Sequence, residues 1–131
     1  MAIYDVLDFG AVGDVRFTNI LCRCENGVYV EGWTPDRVQN LLFANVRVEL
    51  SRWSKWPGAR YDRRPCPTNW AADPEQGFLH HPTAGFLLNK AQQITLRHCE
   101  VVRQDPIDAE FGAPLKAIDV ADIVMDGFDG G

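Results

Sequence analysis

Four segments of this chain carry apolar residues at the same offsets. Val15, Phe17, Ile20 and Cys22 are matched by Leu41, Phe43, Val46 and Val48, then by Ile94, Leu96, Cys99 and Val101, and last by Ile123, Met125 and Phe128. The first two positions of each set are two residues apart, the spacing of one face of a β-strand. The jump of three to the next position breaks that phase, so a bend is predicted between two short strands. The polar or small pairs Thr18-Asn19, Ala44-Asn45, Arg97-His98 and Asp126-Gly127 stand at the break. A further short strand precedes three of the copies, at Val28-Tyr29-Val30, Phe86-Leu87-Leu88 and Leu115–Ile118. Phe86 to Leu115 and Ile94 to Ile123 are both 29 residues, Val28 to Phe86 is 58, and Val15 to Leu41 is 26.

Short strands returning at this interval, with no amphipathic helical stretch between them, point to a β-solenoid. A βαβ fold would need such a stretch, and a β-sandwich leaves the shared offsets unexplained. In a solenoid each turn stacks about 4.8 Å from the next, and like residues line up in ladders within a narrow interior. One turn cannot bury its own apolar face, whereas three or more together can. The expected architecture is therefore all-β, a parallel β-helix of about three to four coils in a single domain spanning 1–131. Its parts are a cap-like strand over 1–14, in which Tyr4–Phe9 would cover the first turn, coils over 15–50, a long irregular loop over 51–82, and coils over 83–131. The loop holds Trp53, Trp56 and Trp70 and five of the eight prolines; its tryptophans predict an ordered loop packed on the coils. Exposed coil ends leave unpaired backbone and invite self-association.

Composition narrows the partners. A net charge of −5 argues against nucleic acid, and the apolar stretches are too short to predict a membrane span. The start, Met1–Asp5, lacks the basic and apolar pattern of a secretory signal, which makes the cytoplasm the default expectation. Cys22 and Cys24 are expected to point to opposite faces of a strand and so not to pair. Cys66 and Cys99 are isolated, and buried thiols are the expectation for all four. His80-His81 precedes Pro82 in extended chain with diverging side chains, and His98 belongs to a surface bend. No metal site is expected from these. Gly10-Ala11-Val12-Gly13 lacks the following helix of a phosphate loop, and no cofactor is expected.

Two regions resemble a known family. Tyr4-Asp5-Val6-Leu7-Asp8-Phe9-Gly10-Ala11-Val12-Gly13-Asp14 is similar to the opening segment of polygalacturonase-type, pectin-degrading glycoside hydrolases and other pectin-lyase-like β-helix proteins. Asn40–Val48, Tyr61–Cys66, and Thr83–Asn89 leading into Ile94–Cys99 are similar to later coils of bacterial members. The resemblance implies a right-handed helix and a carbohydrate-related role. Asp14 runs directly into what resembles a late coil, so the chain reads as a relative with its middle removed. The family's catalytic carboxylates lie in an Asn-Thr-Asp segment and an Asp-Asp pair, with Gly-His-Gly and Arg-Ile-Lys nearby, and this sequence contains none of the four. An inverting hydrolase needs two carboxyl groups roughly 6.5–9.5 Å apart. The acidic loop Asp105–Glu110 could host such a pair, but a solvated turn is the expectation, and no catalytic residue is assigned.

Binding residues are better candidates than catalytic ones. Arg60, Arg63 and Arg64 beside Asp62 could grip the carboxylates of an acidic oligosaccharide, because a guanidinium meets a carboxylate in a forked geometry. Local pairing of Asp62 with an arginine would instead anchor the loop. Trp56, with Trp33, Trp53 and Trp70, could stack on sugar rings or cover an open side of the coil. The sequence thus supports two functions, a truncated hydrolase-like β-helix without hydrolytic activity or a structural, self-associating module.

Overall fold

The computed structural model describes residues 12–32, 34–63 and 77–130. Among them the fold is all-β, with a short 3-10 turn at Pro35–Arg37. The strands are β1 (Val12–Cys24), β2 (Val28–Glu31), β3 (Val38–Leu50), β4 (Arg60–Asp62), β5 (Phe78–His80), β6 (Phe86–Arg97), β7 (Glu100–Arg103) and β8 (Leu115–Asp126). No helix of the described residues is long and apolar enough to cross a membrane. The expected cap at Tyr4–Phe9, Arg64, Cys66, Trp33 and Trp70 lie outside the described residues.

Six strands form one parallel sheet, and their register follows the sequence repeat. Val15, Phe17, Ile20 and Cys22 pair with Leu41, Phe43, Val46 and Val48. Leu41 and Phe43 pair with Ile94 and Leu96, Val48 with Val101, and Ile94 and Leu96 with Ile123 and Met125. Phe17, Phe43, Leu96 and Met125 therefore occupy one column. Val28, Phe86 and Leu115 make a second column through β2, β6 and β8.

The change of phase within each repeat is made by single left-handed residues. Asn19, Asn45, His98 and Gly127 have φ of 57°, 56°, 51° and 71°. A second set, one residue before each repeat begins, behaves alike: Asp14, Asn40, Gln93 and Asp122, at 57°, 55°, 57° and 59°. Glycine, Asn and Asp enter this region at low cost, which is why they dominate both sets. Side chains at or beside the bends bond from rung to rung. Asn45 donates to Asn19 at 2.8 Å, Gln92 to Gln39 at 2.7 Å, and Asn40 to Asp14.

The inward positions form one core. Phe43, Val46, Val48, Leu50, Phe86, Leu88, Ile94, Leu96, Cys99 and Val101 are buried within it. Rings link the rungs, with Phe17 stacked on Phe43 at 4.9 Å, Phe43 edge-on to Phe86 at 5.6 Å and Phe86 to Phe128 at 6.1 Å. Burial fails at the terminal rungs, where Phe17 and Ile20 are 37% and 38% exposed and Met125 is 55% exposed.

Cys22 and Cys24 correct the sequence expectation. Residues two apart on a strand share a face, and both thiols pack against the core as free cysteines. Burial, reinforced by a hydrogen bond and repulsion from Cys22, pushes the Cys24 thiol from 9.0 up to about 12. The folded chain thus keeps a proton that the unfolded chain loses near pH 9. The stability this confers is whole below pH 9 and is lost as pH rises through about 12. Denaturant titrations between pH 9 and 12 should show a steeper fall for the native protein than for Cys24→Ala. Equal slopes would contradict the buried thiol.

Candidate functional site

The long excursion between β3 and β6 builds the site. Its described part is an ordered structure, with β4 and β5 paired antiparallel through Arg60–His80, Tyr61–Leu79 and Asp62–Phe78. Tyr61 fastens it. That ring is buried against Ala84 and Leu87 in a second small cluster, 4.9 Å from Tyr29, and its hydroxyl accepts a 3.0 Å bond from the Ala84 amide. Burial, the larger cause, pushes the Tyr61 phenol up. Tryptophans do not fasten the described part of the loop: Trp53 and Trp56 are 66% and 69% exposed. This departs from the expectation of tryptophans packed on the coils, because the smaller Tyr61 faces the sheet where its hydroxyl finds an amide.

Arg63 serves as a second fastener. Its guanidinium meets both oxygens of Glu31 at 3.1 Å, and Glu31 also accepts from Asn89 at 2.8 Å and from Tyr29. Burial is the main cause of a raised Tyr29 phenol pKa, with the Glu31 contact second. Arg63 thus spends its forked donor on the protein's own carboxylate. Asp62, next to it, is exposed.

Arg60 is placed differently. Its guanidinium lies 4.3 Å from the centre of the Phe78 ring, and its carbonyl accepts from Asn26 at 2.9 Å. It lines an open cleft of about 510 Å³ with Gly58, Ala59, His80, His81, Pro82 and Glu110. His81 is oriented by a 2.7 Å contact between its Nδ1 and the Pro82 carbonyl. Trp56 stands two residues before Gly58 and is not part of the cleft lining. Arg52 donates to its carbonyl, and Lys55 sits 5.3 Å over its ring. The segment leading to it is pinned by Glu25, which accepts from the amides of Trp53 and Ser54 at 2.9 Å. Those two bonds, Ser54 first, hold the Glu25 carboxyl below the usual range.

The structure therefore places Arg60 in the cleft, sends Arg63 to Glu31, and leaves Trp56 exposed outside the cleft lining. His80, His81 and Glu110 line the cleft with Arg60 although no sequence pattern assigned the three a common role. The histidines had only the His-His-Pro punctuation as a sequence signal, and Glu110 its place in the acidic loop Asp105–Glu110. Asp108 is used structurally: it accepts from the Glu110 amide at 2.7 Å, lies 4.0 Å from Arg52, and offers its carbonyl to Phe111. Asp105 is exposed. Among the described residues no group of three or more His, Cys, Asp or Glu could hold a metal ion. Compared with known proteins, the chain matches no family model, no curated protein and no solved structure.

Proposed function

We propose that this chain is a short right-handed parallel β-helix, related to pectin-type glycoside hydrolases, that binds acidic oligosaccharide without hydrolysing it. The observation that carries the binding reading is the cleft at Arg60. A cation and two imidazoles line one open depression, a combination suited to the carboxylate of a uronic acid. The register of four repeats and the similarity of Asn40–Val48 and Thr83–Asn89 to later coils of that family support the fold part. Lack of hydrolysis follows from the sequence, which has none of the family's catalytic segments, and from Asp108 being engaged in its own turn.

Calorimetric titration of the folded chain with galacturonate oligomers tests this. Saturable heat is expected, weakened about tenfold or more in Arg60→Ala, the loss of roughly one charge-assisted contact. No reducing ends should be released from polygalacturonate. Absence of binding heat at millimolar oligomer rejects the binding reading, and release of reducing ends rejects the non-catalytic one.

A further inference from the structure

The two terminal rungs of the sheet are complementary to each other. Among the described residues, β1 pairs only with β3 and β8 only with β6, so within them each strand has one edge with no strand beside it. All the pairings run parallel in the order β1, β3, β6, β8, which puts these two edges at opposite ends of the stack. A second copy translated along the stack would therefore bring its β1 beside the first copy's β8, running in the same direction.

The repeat offsets then fix the register without adjustment. Ile123 would face Val15, Met125 would face Phe17, and Phe128 would face Ile20. The left-handed bends coincide as well, Asp122 with Asp14 and Gly127 with Asn19, all with φ between 57° and 71°. These are the inward residues whose burial is incomplete, with Phe17, Ile20 and Met125 at 37%, 38% and 55% exposure. Beside them an apolar depression of about 220 Å³, lined by Phe17, Ile20, Cys22, Val28, Val30 and Phe43, opens at the β1 end.

Charge favours the same pairing. The β1 edge carries Arg16 and Arg23 against one acid, Asp14. The β8 edge carries Asp119, Asp122 and Asp126, with Asp129 just beyond, against Lys116. In the joined register Asp126 lies diagonal to Arg16, within reach of long side chains across a sheet. One like-charge opposition remains, Asp122 with Asp14, and Asp14 already accepts a bond from Asn40.

We infer that the β8 edge of one copy docks on the β1 edge of the next, continuing the parallel ladder from chain to chain. The contact joins unlike surfaces by translation, so it does not close, and open linear assemblies result. This inference is independent of the sugar-binding reading.

Sedimentation of the full chain across a wide concentration range is the test. The weight-average mass is expected to climb past a dimer without a plateau, and the climb should shrink at high salt. Phe17→Lys blocks one end and Met125→Lys the other, so each variant alone should remain monomeric. Mixing the two should yield a one-to-one heterodimer, because each retains one intact edge. Circular dichroism confirms that each variant is folded. If Phe17→Lys does not fold, the concentration series of the native chain decides alone. A native chain that stays monomeric overturns the inference, as do a closed dimer and two folded variants that fail to combine.

Discussion

Phe86→Ala is expected to cost about 3–5 kcal/mol, the range for removing a fully buried aromatic side chain. Phe86 is 0% exposed and begins β6, the strand that pairs with β2, β3 and β8. Its ring meets Phe43 at 5.6 Å and Phe128 at 6.1 Å, so one side chain joins three rungs. Neighbours held in a parallel ladder cannot collapse into the cavity without breaking register, which places the cost toward the upper end. A loss of this size is a large part of the 5–15 kcal/mol that a domain typically has. Thermal melting should fall by tens of degrees or lose cooperativity. Met125→Ala provides the comparison, because Met125 stands in an inward column of the terminal rung yet is 55% exposed. Its cost should stay near 1 kcal/mol or below. Similar losses for the two variants would mean that the core is not centred on β6.

That contrast also separates what the sequence could reveal from what it could not. Register was legible because the repeat itself encodes it: Val15, Leu41, Ile94 and Ile123 begin identical offset patterns, and the structure pairs them in that order. The bends at Asn19, Asn45 and Gly127 were legible because those residue types enter left-handed backbone at little cost. The bends at Lys90 and Gln93 were not, since neither residue favours φ near 55° and only the neighbouring rungs impose it. The site was less legible than the fold. Arg60, Trp56 and Arg63 were visible as residue types, but the partner of Arg63 is Glu31, 32 residues earlier, which no local pattern identifies. The same holds for Tyr61, whose place against Ala84 depends on how the excursion returns to the sheet. Cys22 and Cys24 show a simpler lapse, because spacing by two already puts both on one face.

Gly27→Ala is expected to be the most damaging change of a single methyl group, and it acts through backbone rather than core volume. Gly27 ends the three-residue turn from β1 to β2 with φ of +75°. A Cβ there would lie 2.2 Å from the Ala84 carbonyl oxygen and 2.7 Å from that of Gly85. Neither oxygen is free to retreat: the Gly85 carbonyl accepts from the Val28 amide at 2.8 Å, and Ala84 is fully buried and bound to Tyr61. Left-handed backbone costs alanine roughly 1–2 kcal/mol, and relieving the overlap adds about 1–3 kcal/mol. The damage should spread to the excursion, because the same turn holds it. Glu25 binds the amides of Trp53 and Ser54, while Asn26 binds the Arg60 carbonyl and accepts from Thr83. Limited proteolysis within 51–63 should therefore quicken in Gly27→Ala even at temperatures where the sheet remains folded. Asn45→Gly separates strain from a general intolerance of turns. At φ of 56° glycine fits, and the change removes one exposed 2.8 Å bond to Asn19, so its cost should be about 1 kcal/mol or less. If Gly27→Ala melts like the native chain, the turn is free to move away from Ala84 and Gly85. The excursion, and the Arg60 cleft it carries, would then not depend on the conformation of Gly27, and Tyr61 and Arg63 would remain among its fasteners.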